Sequence, residues 1–376
     1  MNNEKMKKVG VIGIGYRFSI ALMAHLADNC CQLVAGADPD ANSRQRFVDE
    51  VGPDAKVFET VEEMFAHTDL DAVFILSPDW LHVEHALLAI SHKVSIFLEK
   101  PMATTAEGCQ QIIKAAEQEH VKVYVGHNMR HMSFVKKMKA LVDSGAIGEV
   151  KTAWCRHFIS FGGDCYFKDW HADRRYSNSL LVQKASHDLD ILNWICKGKP
   201  ELVTAMGNLS VYDKVEDIDP APITGKSDRD LNYWPPLTLK GRNPVVDVED
   251  LSMLMLKLDN GVLISYQQCH YTPDNWRNYT IIGTEGRIEN FGDRTDDNVE
   301  IKLWNKKCHY NGTGDVVFKV SADEQKGDSL MIKEFLEFLE REDLPLVYPK
   351  EAAYSVTVGA AATDSLRTGS QPQHIG

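Results

Sequence analysis

The chain has 376 residues, of which 44% are hydrophobic and 25% are charged, and its formal net charge is −13 at pH 7. Because one hydrophobic core rarely serves more than about 250–300 residues, the length predicts two domains. The acidic balance argues against a nucleic-acid or anionic-membrane partner.

The first part of the chain, to about residue 130, alternates short apolar runs with helix-like segments, which is typical of a parallel sheet with helical crossovers. Strands are predicted at Val9–Ile12, Gln32–Ala37, Asp71–Leu76, Val94–Leu98 and Val121–Val125, with a weaker one near Val57. Helices are predicted at Ile20–Ala27, Val61–Ala66, Val83–Ala89 and Ala106–Glu119. The carboxyl ends of these strands should share one edge, where ligands bind.

The later part of the chain changes character, and long strands dominate it after Glu149. Strands are predicted at Leu251–Leu258, Val262–Gln268, Tyr279–Ile282 and Arg287–Phe291, joined in pairs by the turns at 259–261 and 283–286. Helices are predicted at Phe134–Val142, Ser186–Ile195, Leu330–Glu340 and Ala352–Leu366. Residues 213–248 hold no periodic segment and are interpreted as an extended excursion or an oligomer contact.

The cysteines and the polar first residues of the chain indicate the cellular compartment in which the protein is expected. The eight cysteines form no C-x-x-C pair, residues 1–8 lack an apolar signal core, and no apolar stretch is long enough to cross a bilayer. These features predict a cytoplasmic protein with reduced thiols and no membrane partner.

A glycine-containing turn follows the first predicted strand. Gly13 would permit a tight turn, and Gly15 would allow a pyrophosphate close to the backbone at a helix start, although Phe18 occupies the third glycine position. An ordinary strand-to-helix turn is an equal alternative. Asp38, at the end of the second strand, can accept ribose hydroxyls and favours NAD over NADP, while Arg44 could still serve a 2′-phosphate.

Two further residues point to chemistry. Lys100 ends the apolar run 94–98 and precedes Pro101, which stops the strand and holds the lysine at the sheet edge; a solvated strand-end lysine is the alternative. His187 stands at a helix start and is a candidate general base, because imidazole titrates near neutrality. The alternative is a histidine satisfied by local backbone.

Seven short blocks then carry a family resemblance. They are Gly-Ile-Gly-Tyr-Arg at 13–17, Ser-Pro-Asp-Trp-Leu-His at 77–82, Glu-Lys-Pro at 99–101, Gly-His-Asn-Met-Arg at 126–130, Gly-Ala-Ile-Gly-Glu at 145–149, Ser-His-Asp-Leu-Asp at 186–190 and Gly-Thr-Glu-Gly at 283–286. With them the chain resembles, over nearly its whole length, the glucose–fructose oxidoreductase/inositol dehydrogenase (Gfo/Idh/MocA) family.

The resemblance implies an architecture and partners. The expected fold is an α/β N-terminal Rossmann domain, residues 1–130, and a C-terminal α+β domain for substrate binding and oligomerisation, residues 131–376, with a large open, mostly antiparallel sheet. The cofactor would be NAD, less readily NADP. A sugar, cyclitol or related polyol would be the substrate, and a homodimer or homotetramer the assembly.

The resemblance also implies a site. Lys100 and His187 would be catalytic. From the sequence itself, Glu99 is expected to anchor a ribose hydroxyl or the lysine. Asp190, three residues after His187 on the same helix face, could orient the histidine, and a surface or capping role is the alternative. Cofactor contacts are expected from Gly13, Gly15, Tyr16, Arg17, Phe18, Asp38, Ser77, Pro78, Asp79, His82, Glu99, Lys100 and Asn128. Substrate contacts are expected from Arg130, Trp170, Arg174, Gln183, Lys184, His187 and His270. For Trp170 and Arg174 the expectation comes from side-chain chemistry, since Trp can stack on a sugar ring and Arg can bind hydroxyls or a carboxylate, and a rim loop with solvated arginines is an equal alternative. No metal site is expected, because His82 and His85 have no third ligand nearby.

One departure from the family matters for function. Family members commonly carry an aspartate four residues before the histidine, where this chain has Gln183, followed by Lys184. An amide would not raise the basicity of His187 as a carboxylate would. Three hypotheses therefore stand: a dehydrogenase or reductase acting on CH–OH groups, an NAD-dependent glycoside hydrolase using transient oxidation, and a non-catalytic nucleotide-binding sensor.

Overall fold

The computed structural model describes residues 6–26, 31–220, 233–293, 299–306, 312–321, 327–341 and 345–376. The chain divides into two compact units. The first comprises Met1–Asn128 and Asp328–Ala353, and the second comprises Met129–Gly327 and Tyr354–Gly376. The segment 328–353, which the sequence analysis assigned to the second domain, thus belongs to the first, because Met331, Ile332 and Phe335 are buried in its core.

Fifteen strands are described. They are β1 (Lys7–Ile12), β2 (Cys31–Ala37), β3 (Lys56–Phe58), β4 (Ala72–Ile75), β5 (Ser95–Leu98), β6 (Val123–Val125), β7 (Val150–Phe158), β8 (Pro200–Asn208), β9 (Leu251–Leu258), β10 (Leu263–Cys269), β11 (Trp276–Gly283), β12 (Arg287–Phe291), β13 (Val299–Trp304), β14 (Val316–Val320) and β15 (Gln373–His374).

Twelve α-helices are described. They are α1 (Phe18–Leu26), α2 (Ala41–Val51), α3 (Val61–His67), α4 (His82–Ser91), α5 (Ala106–Glu119), α6 (Ser133–Asp143), α7 (Gly162–Tyr166), α8 (Arg174–Ser177), α9 (Leu180–Gln183), α10 (Ser186–Cys196), α11 (Gly327–Glu340) and α12 (Pro349–Arg367).

The first unit is built on a six-stranded parallel sheet in the order β3-β2-β1-β4-β5-β6. The order reverses between β1 and β4, so the carboxyl ends of the strands open there as they do in doubly wound dinucleotide-binding folds. The core continues into α11, where the Phe335 ring centroid lies 5.3 Å from those of Phe74 and Phe97 and 5.7 Å from that of Tyr124. All six predicted strands of this part are present.

Helix α2 is the element that the sequence analysis missed in this unit. Of its residues, Phe47 is the one buried, so the segment lacks the apolar periodicity that predicts a helix. Its start is instead marked by Asp40, whose side chain accepts a hydrogen bond from the Ser43 N–H at 2.9 Å.

The second unit is built on a nine-stranded sheet in the order β14-β13-β12-β11-β7-β10-β9-β8-β15. Every pairing is antiparallel except that of β7 with β10, which confirms the expected mostly antiparallel sheet. Helices α6 and α10 contribute Phe134 and Leu189 to the core over one face of it. The predicted turn at 259–261 joins β9 to β10, and Gly261 has the positive φ of +82° that the turn requires.

The excursion at 213–248 is partly described, since residues 221–232 lie outside the described ranges. Val215, Leu239 and Val248 are buried in a small core with Phe167 and Tyr212, so the described flanks of the excursion pack onto the unit itself. In the described ranges, no helix combines the length and the apolar character needed to cross a membrane.

Candidate functional site

The turn between β1 and α1 has the geometry of a dinucleotide-binding turn. Gly13 has a φ of +85°, and a Cβ on it would lie 2.7 Å from the Ser77 N atom, so neither the conformation nor the space admits a side chain. A Cβ on Gly15 would meet nothing within 4 Å, which leaves the backbone open to a ligand. Because α1 has no acidic residue in its first turn, its N-terminal end favours an anion such as a pyrophosphate.

Asp38 joins this turn to the end of β2. Its Oδ2 atom accepts a hydrogen bond from the Ile14 N–H at 2.7 Å, and its Oδ1 atom accepts one from the Asp40 N–H at 2.9 Å. Arg44 donates instead to the backbone carbonyls of Asp38 and Pro39, at 2.7 and 2.9 Å. The carboxylate is therefore held beside the turn, where it would face the ribose of a bound dinucleotide.

The two aromatic residues of the turn lie in different environments. Tyr16 is 56% exposed, whereas Phe18 is fully buried, with its ring centroid 5.4 Å from that of Phe47. The expectation that Phe18 contacts the cofactor is wrong for its side chain, which belongs to the core under the turn. Its size keeps strand and helix apart where a third glycine would let them approach.

Arg17 links the turn to two acidic residues. Its Nε donates to Glu99 Oε1 at 2.6 Å, and its terminal nitrogens donate to the two carboxylate oxygens of Asp328 at 3.0 and 3.3 Å. Asn128, after β6, donates to the same Asp328 at 2.7 Å. Burial alone would raise the pKa of Asp328, but the Arg17 charge holds it below its usual range. Sequence reasoning missed Asp328, because its partners lie far away along the chain.

Lys100 stands at the carboxyl edge of the sheet as expected. Glu99 is 6% exposed, and its second oxygen accepts a hydrogen bond from the Lys100 N–H at 2.8 Å, so its carboxylate ties the lysine backbone to Arg17. The expected link between Glu99 and the lysine therefore exists, but through the backbone. The Lys100 side chain is half-buried.

His82 fastens the neighbouring loops behind this edge. The ring is fully buried, with Nδ1 2.7 Å from the Pro101 carbonyl oxygen and Nε2 2.9 Å from the Ser77 carbonyl oxygen. It is thus occupied by backbone and is not presented to a cofactor, contrary to expectation.

Ser77 also contacts His85 Nδ1 at 2.9 Å through its hydroxyl, and burial lowers the pKa of His85 to about 4. Of the other residues expected here, Pro78 is half-buried and Asp79 is buried.

In the second unit, three expected site residues lie around the start of α10. His187 is in its first turn and half-buried, Lys184 is half-buried just before it, and Gln183 is 8% exposed at the end of α9. The short α9 is started by Ser179, whose side chain accepts a hydrogen bond from the Val182 N–H. The Lys184 ammonium lies 5.5 Å from the centre of the Tyr166 ring.

Asp188, next to His187, is fully buried and is the centre of a polar network that sequence reasoning missed. Its carboxylate lies 3.0 Å from His157 Nδ1 and 2.9 Å from Arg277 Nε. It also accepts hydrogen bonds from the hydroxyls of Tyr279 and Tyr266, the latter at 3.2 Å. Strand register places these side chains on one face of the sheet, because Arg277 pairs with His157 while Tyr266 and Tyr279 both pair with Cys155, two residues earlier on β7.

The ionisation of this network follows from its burial and its ion pairs. Desolvation would raise the pKa of Asp188, but the Arg277 and His157 contacts hold it well below its usual range. Burial and the Arg277 charge lower the pKa of His157 to about 3. At neutral pH the aspartate is therefore charged and the histidine neutral.

Arg130 and Asp190 form a second buried ion pair. Arg130 is 1% exposed, and its Nε and Nη2 donate to the two Asp190 oxygens at 2.9 and 2.7 Å, while its guanidinium lies 5.2 Å from the Trp194 ring centre. The expectation that Arg130 lines the substrate cleft is not met by this geometry. Asp190, expected to orient His187, is engaged by Arg130.

The remaining expected substrate residues lie in different environments. Trp170 stacks on His171 with a centroid separation of 3.7 Å. Arg174 is 48% exposed and forms an ion pair with Asp247 at 3.0 Å, as a rim arginine would. His270 is fully buried, 5.1 Å from the Tyr166 ring centre. Across the described residues, no group of three or more His, Cys, Asp or Glu side chains is placed to hold a metal ion.

The parallel sheet order, the glycine turn and Asp38 define a dinucleotide-binding fold. A family model described as "Oxidoreductase family, NAD-binding Rossmann fold" matches residues 7–127, and one described as "GFO/IDH/MocA C-terminal domain" matches residues 135–289. The chain belongs to the Gfo/Idh/MocA oxidoreductase family, and its first domain is an NAD-binding Rossmann domain.

Individual relatives are distant. YteT of Bacillus subtilis (strain 168), an oxidoreductase by name, is 27% identical over 267 residues, which cover 61% of this chain and 62% of that protein. An inositol 2-dehydrogenase of Gluconacetobacter diazotrophicus is 31% identical over 199 residues, 51% of this chain and 55% of that protein. The chain thus spans little more than half the length of these curated relatives.

A solved structure extends the likeness of the fold to the whole chain. The crystal structure of myo-inositol 2-dehydrogenase from Lactobacillus plantarum superimposes with a TM-score of 0.76 at 17% identity, covering 99% of this chain and 100% of that one. At this identity the comparison supports the fold and not the substrate.

Proposed function

We propose that the protein is an NAD-dependent dehydrogenase or reductase that interconverts a secondary alcohol and a ketone on a sugar, cyclitol or related polyol. The observation that carries the proposal is the chain of contacts from Arg17 in the nucleotide turn, through Glu99, to the Lys100 backbone. These contacts attach Lys100, at the edge of the sheet, to the loop that would hold the cofactor phosphates. Membership of an oxidoreductase family supports the same reaction class.

The proposed roles follow from the chemistry of alcohol oxidation. His187 takes the hydroxyl proton, and the Lys100 ammonium stabilises the negative charge that develops on the oxygen. The bound dinucleotide supplies the hydride chemistry. Gly13 and Gly15 let its pyrophosphate approach the backbone, and the Asp38 carboxylate favours NAD by repelling a 2′-phosphate.

The test is turnover by the purified protein with NAD⁺, then NADP⁺, across sugars, inositols and sugar acids, followed by the absorbance of the reduced nicotinamide. Lys100→Ala and His187→Ala should each lower kcat by about 100-fold or more, because general acid–base groups contribute about that much. The exposed Lys114→Ala and His374→Ala serve as matched controls. Unchanged turnover in both site variants would contradict the proposed roles.

Two other outcomes separate the alternative functions. Hydrolysis of nitrophenyl glycosides without net formation of NADH would favour the glycoside hydrolase. Tight NADH binding without turnover of any compound in the panel would favour the sensor.

A further inference from the structure

One carboxylate in the first turn of α11, that of Asp328, joins two separate parts of the first unit. Its oxygens accept hydrogen bonds from the terminal nitrogens of Arg17, in the nucleotide turn, at 3.0 and 3.3 Å. The Oδ1 atom also accepts one from the side-chain amide of Asn128, after β6, at 2.7 Å. Asp328 therefore holds a donor on each of two loops at the carboxyl edge of the parallel sheet.

Helix α11 is itself fastened along the edge strand of that sheet. The Lys122 ammonium, just before β6, donates to the backbone carbonyls of Phe338 and Leu339 at 2.9 and 3.0 Å. The Tyr124 hydroxyl, on β6, donates to the Glu334 carboxylate at 2.6 Å. A side chain in the first turn of the helix is thus presented from a rigid element, as accurate positioning requires.

Asp328 decides how the guanidinium of Arg17 is oriented. Glu99 accepts from Nε at 2.6 Å, and Asp328 accepts from both terminal nitrogens, so two edges of the planar group are held. Without Asp328, the bond through Nε would be left as a single pivot. Because the same Glu99 carboxylate accepts the Lys100 N–H at 2.8 Å, a turned guanidinium would also loosen the backbone of the lysine.

Asp328 also decides which way the Asn128 amide faces. Burial would raise the pKa of Asp328, but the Arg17 charge holds it below its usual range, so the side chain is an acceptor at neutral pH. The amide nitrogen of Asn128 must face this acceptor, and the amide oxygen must face away. That oxygen is buried and, within the described part of the chain, has no hydrogen-bond partner, so it can accept from a ligand.

The positions of these groups in the sheet correspond to the nicotinamide half of a bound cofactor. A dinucleotide spans the point where the strand order reverses, which is between β1 and β4. Asp38, at the end of β2, lies on the adenosine side of that point. Glu99 and Asn128 follow β5 and β6 on the other side, where ribose hydroxyls and a carboxamide N–H would be the available donors.

We infer that Asp328 is a positioning residue for the nicotinamide half of the cofactor site, and that it acts by orienting Arg17 and Asn128. The inference rests on the proposed function for the role of Lys100. It adds a residue that lies 200 positions from Asn128 along the chain.

The experiment is a calorimetric titration of the full chain with NAD⁺ and, separately, with ADP, which carries the adenosine and diphosphate but no nicotinamide. Asp328→Ala should raise the Kd for NAD⁺ by about tenfold, because hydrogen bonds to the nicotinamide half are lost. The Kd for ADP should change by less than about twofold, since Asp38 and the glycines of the turn remain in place. Asp328→Glu keeps the carboxylate and should recover part of the NAD⁺ affinity.

Two further variants control for the fold and for helix-end charge. Glu107→Gln removes an exposed acidic residue from the first turn of α5, in the same unit, and should leave both Kd values unchanged. Asp328→Asn is closer in shape to the wild type but has one acceptor oxygen for two donors. It should show the same selective loss of NAD⁺ affinity, and it replaces the alanine variant if thermal unfolding shows that variant to be unfolded.

Equal weakening of NAD⁺ and ADP binding would overturn the inference, since it would mean that Asp328 only supports the fold. Unchanged NAD⁺ binding in Asp328→Ala, or an equal loss in Glu107→Gln, would overturn it too. Because these titrations need no turnover, a protein that is inactive on every polyol but shows the selective loss would refute the dehydrogenase and leave this inference standing. An active enzyme whose NAD⁺ affinity does not depend on Asp328 would have the opposite meaning.

Discussion

His157 Nδ1 lies 3.0 Å from the carboxylate of Asp188, and neither side chain is more than 7% exposed. Because burial keeps the imidazole neutral, the single ring proton is best placed on Nδ1, where it can be donated to the carboxylate. The lone pair is then on Nε2. A buried charge at Asp188 thereby sets the tautomer of a histidine on β7 and makes the pair sensitive to both pH and substitution.

Replacing Asp188 should be strongly destabilising. Asp188→Asn leaves Arg277 as a buried cation without its carboxylate, so we expect the free energy of unfolding to fall by about 3–5 kcal/mol. Urea denaturation at pH 7 measures the change. Exposed Asp143→Asn, which removes a surface carboxylate paired with Lys139 and Lys197, should cost no more than about 1 kcal/mol.

The same substitution should alter acid stability. Asp188 has a depressed pKa in the folded state, so its contribution is complete above the unfolded value of about 3.9 and is lost as the pH falls below it. Denaturation of the wild type from about pH 5 to pH 2 should show this loss, and Asp188→Asn should show less of it. Parallel pH profiles would contradict the assignment of the charge.

His157 should destabilise the protein at mildly acidic pH. Its folded pKa of about 3 lies below the unfolded value of about 6.5, so the unfolded chain binds the proton first and stability falls as the pH drops through that interval. At pH 5 the loss relative to pH 7 should be about 2 kcal/mol. His157→Gln should remove this part of the pH dependence, and an unchanged slope would sink the prediction.

Arg17 should affect both stability and catalysis. Arg17→Met leaves the buried Glu99 carboxylate without its partner, and we expect a loss of about 1–3 kcal/mol in the free energy of unfolding together with a lower kcat. Arg17→Lys keeps the charge but loses the forked geometry, so it should recover only part of the effect. Glu50→Gln, in an exposed ion pair of the same unit, is the control.

The two aromatic residues of the nucleotide turn should respond in opposite ways. Phe18→Ala empties a fully buried site and should cost about 3–5 kcal/mol in the free energy of unfolding. Tyr16→Ala, at a position 56% exposed, should change it by less than about 0.5 kcal/mol. Thermal and urea denaturation measure both, and a small effect at Phe18 would refute its assignment to the core.

Asp38 should control the choice of dinucleotide. Asp38→Asn keeps an oxygen that can accept the Ile14 N–H but removes the charge, so the ratio of kcat/KM for NAD⁺ over NADP⁺ should fall by about tenfold. Arg44→Ala tests the alternative that Arg44 binds the 2′-phosphate of NADP⁺. A selective loss of NADP⁺ activity in that variant would mean that Arg44 leaves its backbone carbonyls to bind the 2′-phosphate.

Local sequence was enough to predict the framework of this protein. The apolar runs of the first unit, the glycines at 13 and 15, Asp38, and the placement of Lys100 at a strand end all express preferences that span a few residues, and the structure has them where they were expected. The order of these features along the chain then sufficed for the Rossmann fold and for the family.

The partners of the charged side chains were decided only by tertiary structure. Arg17 meets Asp328 because α11 returns to the first unit, and Asp188 meets His157 and Arg277 because β7 and β11 are adjacent in register. The burial of Phe18, His82 and Arg130, each of which looked like a ligand-facing residue in sequence, was likewise decided by the packing of the folded chain. A hydrogen bond or ion pair requires two atoms within about 3 Å, and no local preference specifies which distant residue arrives there.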